Sequence, residues 1–481
     1  MADKYSISLT PAMTFMILGL IIITLLLKFL FNYKIDSKKL RLSLLSGLVI
    51  ISIIIFRKPY FSSAMYDELG DKNLINIWSQ SQQFQSKGFI YPFIYSMTDF
   101  GEDVLEGYDE EKAKEDLYIF EYNNIPENQK VNVIGIMLES YNDFSKFDTI
   151  EFERNPYENF HRLQKESIHG SLITNVFGGG TINTERSFLT GYKNNPKYLK
   201  DTNSFVWYFK EQGYRTEAMH PSYGWFYNRR NENPYLGFDN FDYYENKYSQ
   251  YNKDFLQDND FFDFIIEGYE KNLNTNKPYF NFSVTYQNHG PYSEEGYLEN
   301  KFIKKQSNYD EKTYNMFNNY LAGINRTDAA IKKLTDYFKE QDKPTVIVFF
   351  GDHNPWLGKD DLGFKMMNIN IDPSDEKGVI NYYETPYMIW GNDSAKKVLN
   401  NDLTGEGNTI SPHFLMAEVF SHLGWKGNEY MQYSQELKEN LDVIHDNIYK
   451  ENGKFTRKLS PENKAKYDDF RNVEYYYNHN F

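Results

Sequence analysis

The chain opens on two apolar runs separated by a basic turn. Pro11 to Leu27 is almost wholly apolar, and Phe29, Leu30 and Phe31 continue the run past Lys28, which is long enough to cross a bilayer as a helix. The second run, Leu42 to Phe56, is shorter and carries Ser43, Ser46, Gly47 and Ser52, so it is a marginal span by length. Together they predict a transmembrane hairpin over 1–57. The turn holds Lys34, Lys38, Lys39 and Arg41 against Asp36, which places it in the cytoplasm and both ends of the chain outside. A cleaved signal peptide is the competing reading, although the first run has a weakly charged leader and no small-residue cut site directly after it. Ser62-Ser63-Ala64 offers a cut after the second run that would release the rest.

Residues 58–128 form an aromatic, polar connecting segment with a weak pattern. From 129 onward, β-branched or aromatic runs alternate with amphipathic stretches, the signature of an α/β domain with a largely parallel sheet, expected to reach about residue 437. The clearest strands are Val131 to Leu138, Tyr279 to Tyr286, Thr345 to Phe350 and Pro386 to Trp390, and Tyr214 to Met219 is strand-like. Ser204 to Gln212, stopped by Gly213, and Tyr314 to Glu340 read as helices. The polar tail 438–481 reads as a surface helix with a loose end.

Composition removes several chemistries. A formal charge of −15 supplies no basic excess to displace counterions from a nucleic acid, so phosphate recognition has to be local. The absence of cysteine excludes disulfides, zinc-thiolate sites and thiol nucleophiles. Aromatic residues reach 18%, with 41 Tyr and 38 Phe, which suits stacking on sugar-like groups but is more simply explained by packing.

In open α/β sheets ligands bind beyond the carboxyl ends of the strands. The first strand ends in Glu139, the Thr345 strand runs into Gly351-Asp352-His353, and the Tyr279 strand runs into Asn288-His289-Gly290. Two carboxylates and an imidazole suit Mn²⁺ or Mg²⁺ at least as well as Zn²⁺. Each acid alone is more often a cap or a solvated turn residue; three chemically loaded strand ends together favour a site. Gly178-Gly179-Gly180-Thr181 reads as a tight loop entering a helix, where a hydroxyl either caps the helix or faces an anion. His220 follows a strand, and Tyr227 and Arg229 lie in the loop beyond it, where guanidinium and phenol suit a phosphate.

In this order the blocks Met137-Leu138-Glu139-Ser140, Gly178-Gly179-Gly180-Thr181 with Glu185, Phe226-Tyr227-Asn228-Arg229, Asn288-His289-Gly290-Pro291 and Gly351-Asp352-His353-Asn354-Pro355 resemble the lipoteichoic acid synthase family, phosphoglycerol transferases of the sulfatase/alkaline phosphatase superfamily. Thr385-Pro386-Tyr387 and Trp390-Gly391-Asn392 add to the resemblance, which covers about 131–425. It implies an alkaline-phosphatase-like sandwich around the sheet. It also implies one divalent metal, commonly Mn²⁺, on Glu139, Thr181, Asp352 and His353, with Thr181 as nucleophile and Tyr227, Arg229 and His289 on the glycerophosphate. His289 or His220 would protonate a leaving oxygen. Many members have Trp at the position of Tyr227, and members commonly have four or five spans where this chain shows two runs.

The implied reaction moves glycerol phosphate from phosphatidylglycerol to a lipoteichoic acid, glycolipid or cell-wall polysaccharide at the outer face of a bacterial membrane, in anchored or released form. The short membrane part also raises a companion membrane protein. A phosphodiesterase or phosphatase using water is the competing enzyme, and a membrane-tethered polyanion binder without activity the competing non-enzyme. A sulfatase is disfavoured because Thr181 cannot become formylglycine.

Overall fold

Seven consecutive buried positions, Asn-Val-Ile-Gly-Ile-Met-Leu, make β1 (Asn132–Leu138), and burial on both faces marks it as a central strand. In this computed structural model the described residues are 11–32, 37–47, 50, 62–68, 80–96, 104–251, 254–296 and 301–481. They divide into two units, Met1–Val104 and Leu105–Phe481.

The first unit contains the helices Pro11–Asn32, Ser63–Glu68, Gln80–Lys87 and Ile90–Ser96. Among the described residues no helix is long and apolar enough to cross a membrane. The spanning hairpin therefore stays an expectation of the sequence. Its first run lies in the helix Pro11–Asn32, described only in part, and its second run falls largely outside the described residues.

The second unit is built on an eight-stranded sheet. Besides β1 it contains β2 (Ile168–Ile173), β3 (Arg215–His220), β4 (Asn240–Tyr243), β5 (Tyr279–Val284), β6 (Thr345–Gly351), β7 (Glu384–Gly391) and β8 (Gly405–Ile410), in the order β4-β3-β5-β1-β6-β7-β2-β8. From β4 to β6 every pairing is parallel. β7 runs antiparallel to both β6 and β2, and β8 is parallel to β2. The expected mostly parallel α/β sheet is present, with one reversed strand inside it.

Strand alternation sends side chains into two cores. Val133, Met137, Val346 and Val348 face one, with Phe188 and Leu189 of the helix Thr181–Thr190. Ile134, Ile136, Ile347 and Phe349 face the other, with the long helix Glu311–Lys339. A Cβ on Gly135 would lie 2.9 Å from the Phe188 ring, so this glycine lets the Thr181 helix sit directly on β1.

The C-terminal segment, expected as a surface helix with a loose end, holds more structure than that. It forms a second, three-stranded antiparallel sheet of β9 (Leu441–Ile444), β10 (Tyr449–Glu451) and β11 (Lys454–Thr456), followed by the helix Pro461–His479. Phe470 and Val473 of that helix are fully buried in the first core. Its polar sequence hides this because few side chains provide the contact.

Candidate active site

Glu139 and Asp352 leave the sheet at the carboxyl ends of adjacent strands. Leu138 of β1 is paired with Gly351 of β6, so the next residue of each chain turns outward at the same level. The Glu139 backbone N–H donates to Thr285 Oγ1 at 2.9 Å, and Ser140 Oγ donates to Glu139 Oε1 at 3.0 Å. Asp352 Oδ1 accepts the backbone N–H groups of Ser140 (2.7 Å) and His353 (2.8 Å). Its other oxygen, Oδ2, is buried without a hydrogen-bond partner.

Thr181 reaches the same point from the opposite side. Gly180, at φ 82°, is the residue before the helix, and Thr181 is the first residue within it rather than its side-chain cap. A Cβ on Gly180 would lie 2.9 Å from Val176 Cγ1, so both conformation and space require glycine there. Thr184 Oγ1 donates to the Asp352 carbonyl at 2.7 Å and ties the helix to the β6 loop. Thr181 Oγ1 lies 3.4 Å from both Glu139 Oε2 and His353 Nε2.

The four groups form a concentration of lone pairs. His353 Nδ1 meets the Asn354 carbonyl at 2.9 Å and is the donor there, which leaves Nε2 of the neutral ring with a lone pair. That nitrogen faces Asp352 Oδ2 at 3.2 Å and Glu139 Oε1 at 3.8 Å. Glu139, Asp352 and His353 each offer one ligand atom within 4.8 Å of the others, and all three are buried. Burial, then the neighbouring Asp352 charge, raises the Glu139 carboxyl above its usual range. Buried acceptors that face one another with an oxygen left over are compensated by a cation, and the mainly oxygen donor set fits a divalent one.

Two backbone positions of unusual conformation bring a cation to the rim. Tyr227 (φ 53°) and Asn228 (φ 59°) are both left-handed and deliver the chain into Arg229, whose side chain is buried. Arg229 Nε and Nη2 both bond Glu185 Oε2, whereas Nη1 is buried with no partner. Its guanidinium lies 5.2 Å from the Tyr227 ring centroid. The Tyr227 hydroxyl meets the backbone of Gly180, and burial pushes its pKa up to about 12.

The histidines divide into two kinds. His220 is buried and gives Nδ1–H to the Val284 carbonyl at 3.0 Å, and burial followed by the Arg229 charge holds its pKa well below the usual range. Its unpartnered Nε2 is thus an acceptor. The expectation that His220 protonates a leaving oxygen does not suit that state. His289 is exposed and stacks on Tyr286 at 4.9 Å.

Two residues of the assembly had gone unassigned in the sequence. Glu185 stands in the Thr181 motif beside Arg186, an adjacent acid–base pair in the sequence that the fold buries. Asn354, directly after His353, joins the loops: its carbonyl also accepts the Gly178 N–H at 3.0 Å, and its Nδ2 donates to the Tyr382 carbonyl at 2.8 Å.

Known proteins share this fold. A family model described as Sulfatase matches residues 131–425. A Rhizobium meliloti protein named for cyclic beta-1,2-glucan modification is 27% identical over 386 residues, covering 76% of this chain and 57% of its own length. The chain therefore spans little more than half of that relative. Among solved structures, the Streptococcus pyogenes phosphoglycerol transferase GacH in complex with sn-glycerol-1-phosphate superposes with a TM-score of 0.58 at 22% identity, covering 77% of this chain and 93% of that one. The lipoteichoic acid synthase LtaP from Listeria monocytogenes gives 0.53 at 17% identity, with coverages of 77% and 97%. At these identities the superpositions speak for the fold, and the family match, running over more than half the chain from β1 past β8, shows that the protein belongs to the sulfatase family.

Proposed function

We propose that this sulfatase-family chain is a phosphotransferase that moves glycerol phosphate from phosphatidylglycerol to a lipoteichoic acid, glycolipid or cell-wall polysaccharide acceptor, through a covalent intermediate on Thr181. The observation that carries the reading is the meeting of Thr181 Oγ1 with the buried lone pairs of Glu139, Asp352 and His353. The glycerol phosphate bound to GacH and the name of LtaP point to the donor class.

Glu139, Asp352, His353 and Thr181 would hold one divalent cation, Mn²⁺ first among the candidates. When bound, it would lower the pKa of the Thr181 hydroxyl and offset phosphoryl charge. Thr181 Oγ1, its proton already lost to solvent, attacks phosphorus as the alkoxide that the second half-reaction restores, the bond to the diacylglycerol oxygen breaks, and that oxygen takes a proton from His289 at the open edge. Arg229 Nη1, the free face of a guanidinium fixed on its other edge, donates to a non-bridging oxygen. His220 Nε2 accepts a hydroxyl hydrogen of the glycerol, and Tyr227 covers the phosphate. An acceptor hydroxyl then attacks phosphorus, its proton passes to His289, and the bond to Thr181 Oγ1 breaks. In this reading 1–57 anchors the chain and the catalytic domain is extracellular.

The test follows diacylglycerol release from fluorescent phosphatidylglycerol by the full-length protein with Mn²⁺, beside Thr181→Ala. Release that needs metal and Thr181 is expected, with glycerol phosphate appearing on added acceptors. Release from phosphatidylethanolamine alone would move the donor to that lipid, and release with only water as acceptor would make the enzyme a phosphodiesterase.

A further inference from the structure

Two aromatic rings at the edge of the Arg229 loop are exposed and yet held in place. Tyr223 and Trp225 stack on each other with ring centroids 5.2 Å apart and planes 19° apart, and each is 37% exposed. Behind them the edges of Tyr244 and Phe255 meet the Tyr223 ring at 5.4 and 5.1 Å. The backbone between the two rings is pinned as well: the Gly224 N–H donates to Glu245 Oε2 at 2.9 Å, and the Gly224 carbonyl accepts the Arg230 N–H at 2.9 Å. A Cβ at Gly224 would lie 2.6 Å from the Tyr243 ring, so the loop lies flat on that ring. These contacts account for part of each side chain and leave 37% of each residue exposed.

We propose that the Tyr223–Trp225 pair is a saccharide-binding platform, on which a pyranose ring of the acceptor lays its C–H face. A pyranose has an apolar face of axial C–H bonds and a polar rim of hydroxyls, so it needs a flat aromatic surface bordered by hydrogen-bonding groups. The loop has that composition: Asn228, Arg230 and Asn231 follow the rings, and no aliphatic residue occurs from Ser222 to Asn231. The platform is continuous with the candidate active site, because the loop passes from Trp225 through Phe226 to Tyr227, whose hydroxyl meets Gly180 beside Thr181. A rigid platform also loses little conformational freedom when a sugar binds.

This inference deepens the transferase reading by naming the acceptor chemistry, and its test does not depend on the donor. Full-length Thr181→Ala protein is titrated with short neutral gluco-, manno- and galacto-oligosaccharides and followed by saturation-transfer NMR. Saturation of ring C–H protons is expected, with affinity falling about tenfold or more in W225L, as when a stacking face is removed from a nucleobase site. W225F, which keeps a π face, is expected to retain most of the binding, and Y223L provides the second variant should W225L lose its native melting transition. Binding unchanged by W225L and Y223L, or no saturation with any of the three sugars, overturns the platform. Loss of binding to phosphatidylglycerol vesicles in W225L, with sugar binding intact, would assign the rings to a lipid surface and overturn it as well. Failure of phosphatidylglycerol as donor would leave the sugar titration unaffected.

Discussion

Glu185 Oε2 accepts from two nitrogens of Arg229, Nε at 2.9 Å and Nη2 at 2.8 Å, while Glu185 Oε1 accepts from Arg186 Nη1 at 3.0 Å. One carboxylate on the Thr181 helix thus holds two buried guanidiniums, and Arg186 is braced further by Asn233 and Glu232. The pairing fixes the plane of Arg229 and leaves Nη1 as its free edge.

Glu185→Gln removes the charge that compensates both arginines. Breaking a buried pair from one side costs about 3–5 kcal/mol, so a clear fall in melting temperature is expected. Weaker competition by inorganic phosphate in the diacylglycerol-release assay should accompany it. Unchanged melting and unchanged phosphate inhibition would show that Arg229 holds its orientation without Glu185.

Removing an acceptor from the lone-pair cluster should remove metal response. Native protein is expected to gain about 2.7 kcal/mol of stability when free Mn²⁺ is a hundredfold above its dissociation constant, and Asp352→Asn should gain almost none. Calorimetric titration of both proteins measures the same loss directly. Equal Mn²⁺ binding by the two would place the metal elsewhere.

Asn354 acts through its neighbour. Its carbonyl holds His353 Nδ1, and its side chain grips the Tyr382 carbonyl and the Asn142 amide. Asn354→Ala keeps that carbonyl but frees the loop that positions it, and metal affinity is expected to fall by about tenfold, the low end for a weakened outer partner of a ligand. Titration with Mn²⁺ beside Asp352→Asn separates this partial loss from a complete one.

The half-buried pair of His161 Nε2 and Asp143 Oδ2, 2.7 Å apart, makes stability depend on pH. Burial pushes the Asp143 carboxyl up, but the His161 hydrogen bond and charge outweigh it and hold the group below its usual range. The same hydrogen bond from Asp143 raises His161. The Asp143 contribution is lost as pH falls below the carboxylate's unfolded value, and that of His161 is lost as pH rises through its raised folded value. The pair therefore stabilises most between about pH 4 and pH 6.5. His161→Ala is expected to cost ~1 kcal/mol in denaturant unfolding at about pH 5.5 and much less at about pH 9. An equal cost at both would mean that packing, not charge, accounts for the residue.

Local pattern carried the sequence reading a long way. β1, β5 and β6 are continuous β-branched or aromatic runs and were legible with nearly their observed limits; their ends held Glu139, Asp352 and His353 because ligands gather beyond the carboxyl ends of such strands. The Gly178–Gly180 run marked the entry to the Thr181 helix, since three successive positive-φ residues are adopted at least cost by glycine.

Other elements carry no such local mark. β2 and β8 are mixed in burial, and they become strands by pairing, β2 with β7 and β8 with β2. The helix Pro461–His479 looks like solvated surface until Phe470 and Val473 meet the first core.

By itself the sequence determined which residues can act: the donor atoms at the strand ends, the glycines before Thr181, the excess of acid and the lack of thiols. Tertiary structure alone decided how they meet, in the orphaned Asp352 Oδ2, the Glu185 bridge between two arginines, the His220 nitrogen left as an acceptor and the stacked, partly exposed aromatic pair. The physical reason is range. Side-chain type and periodicity act over a few neighbouring residues, whereas a hydrogen bond or ion pair depends on where the fold places atoms that are tens to hundreds of residues apart, such as Thr181 and His353.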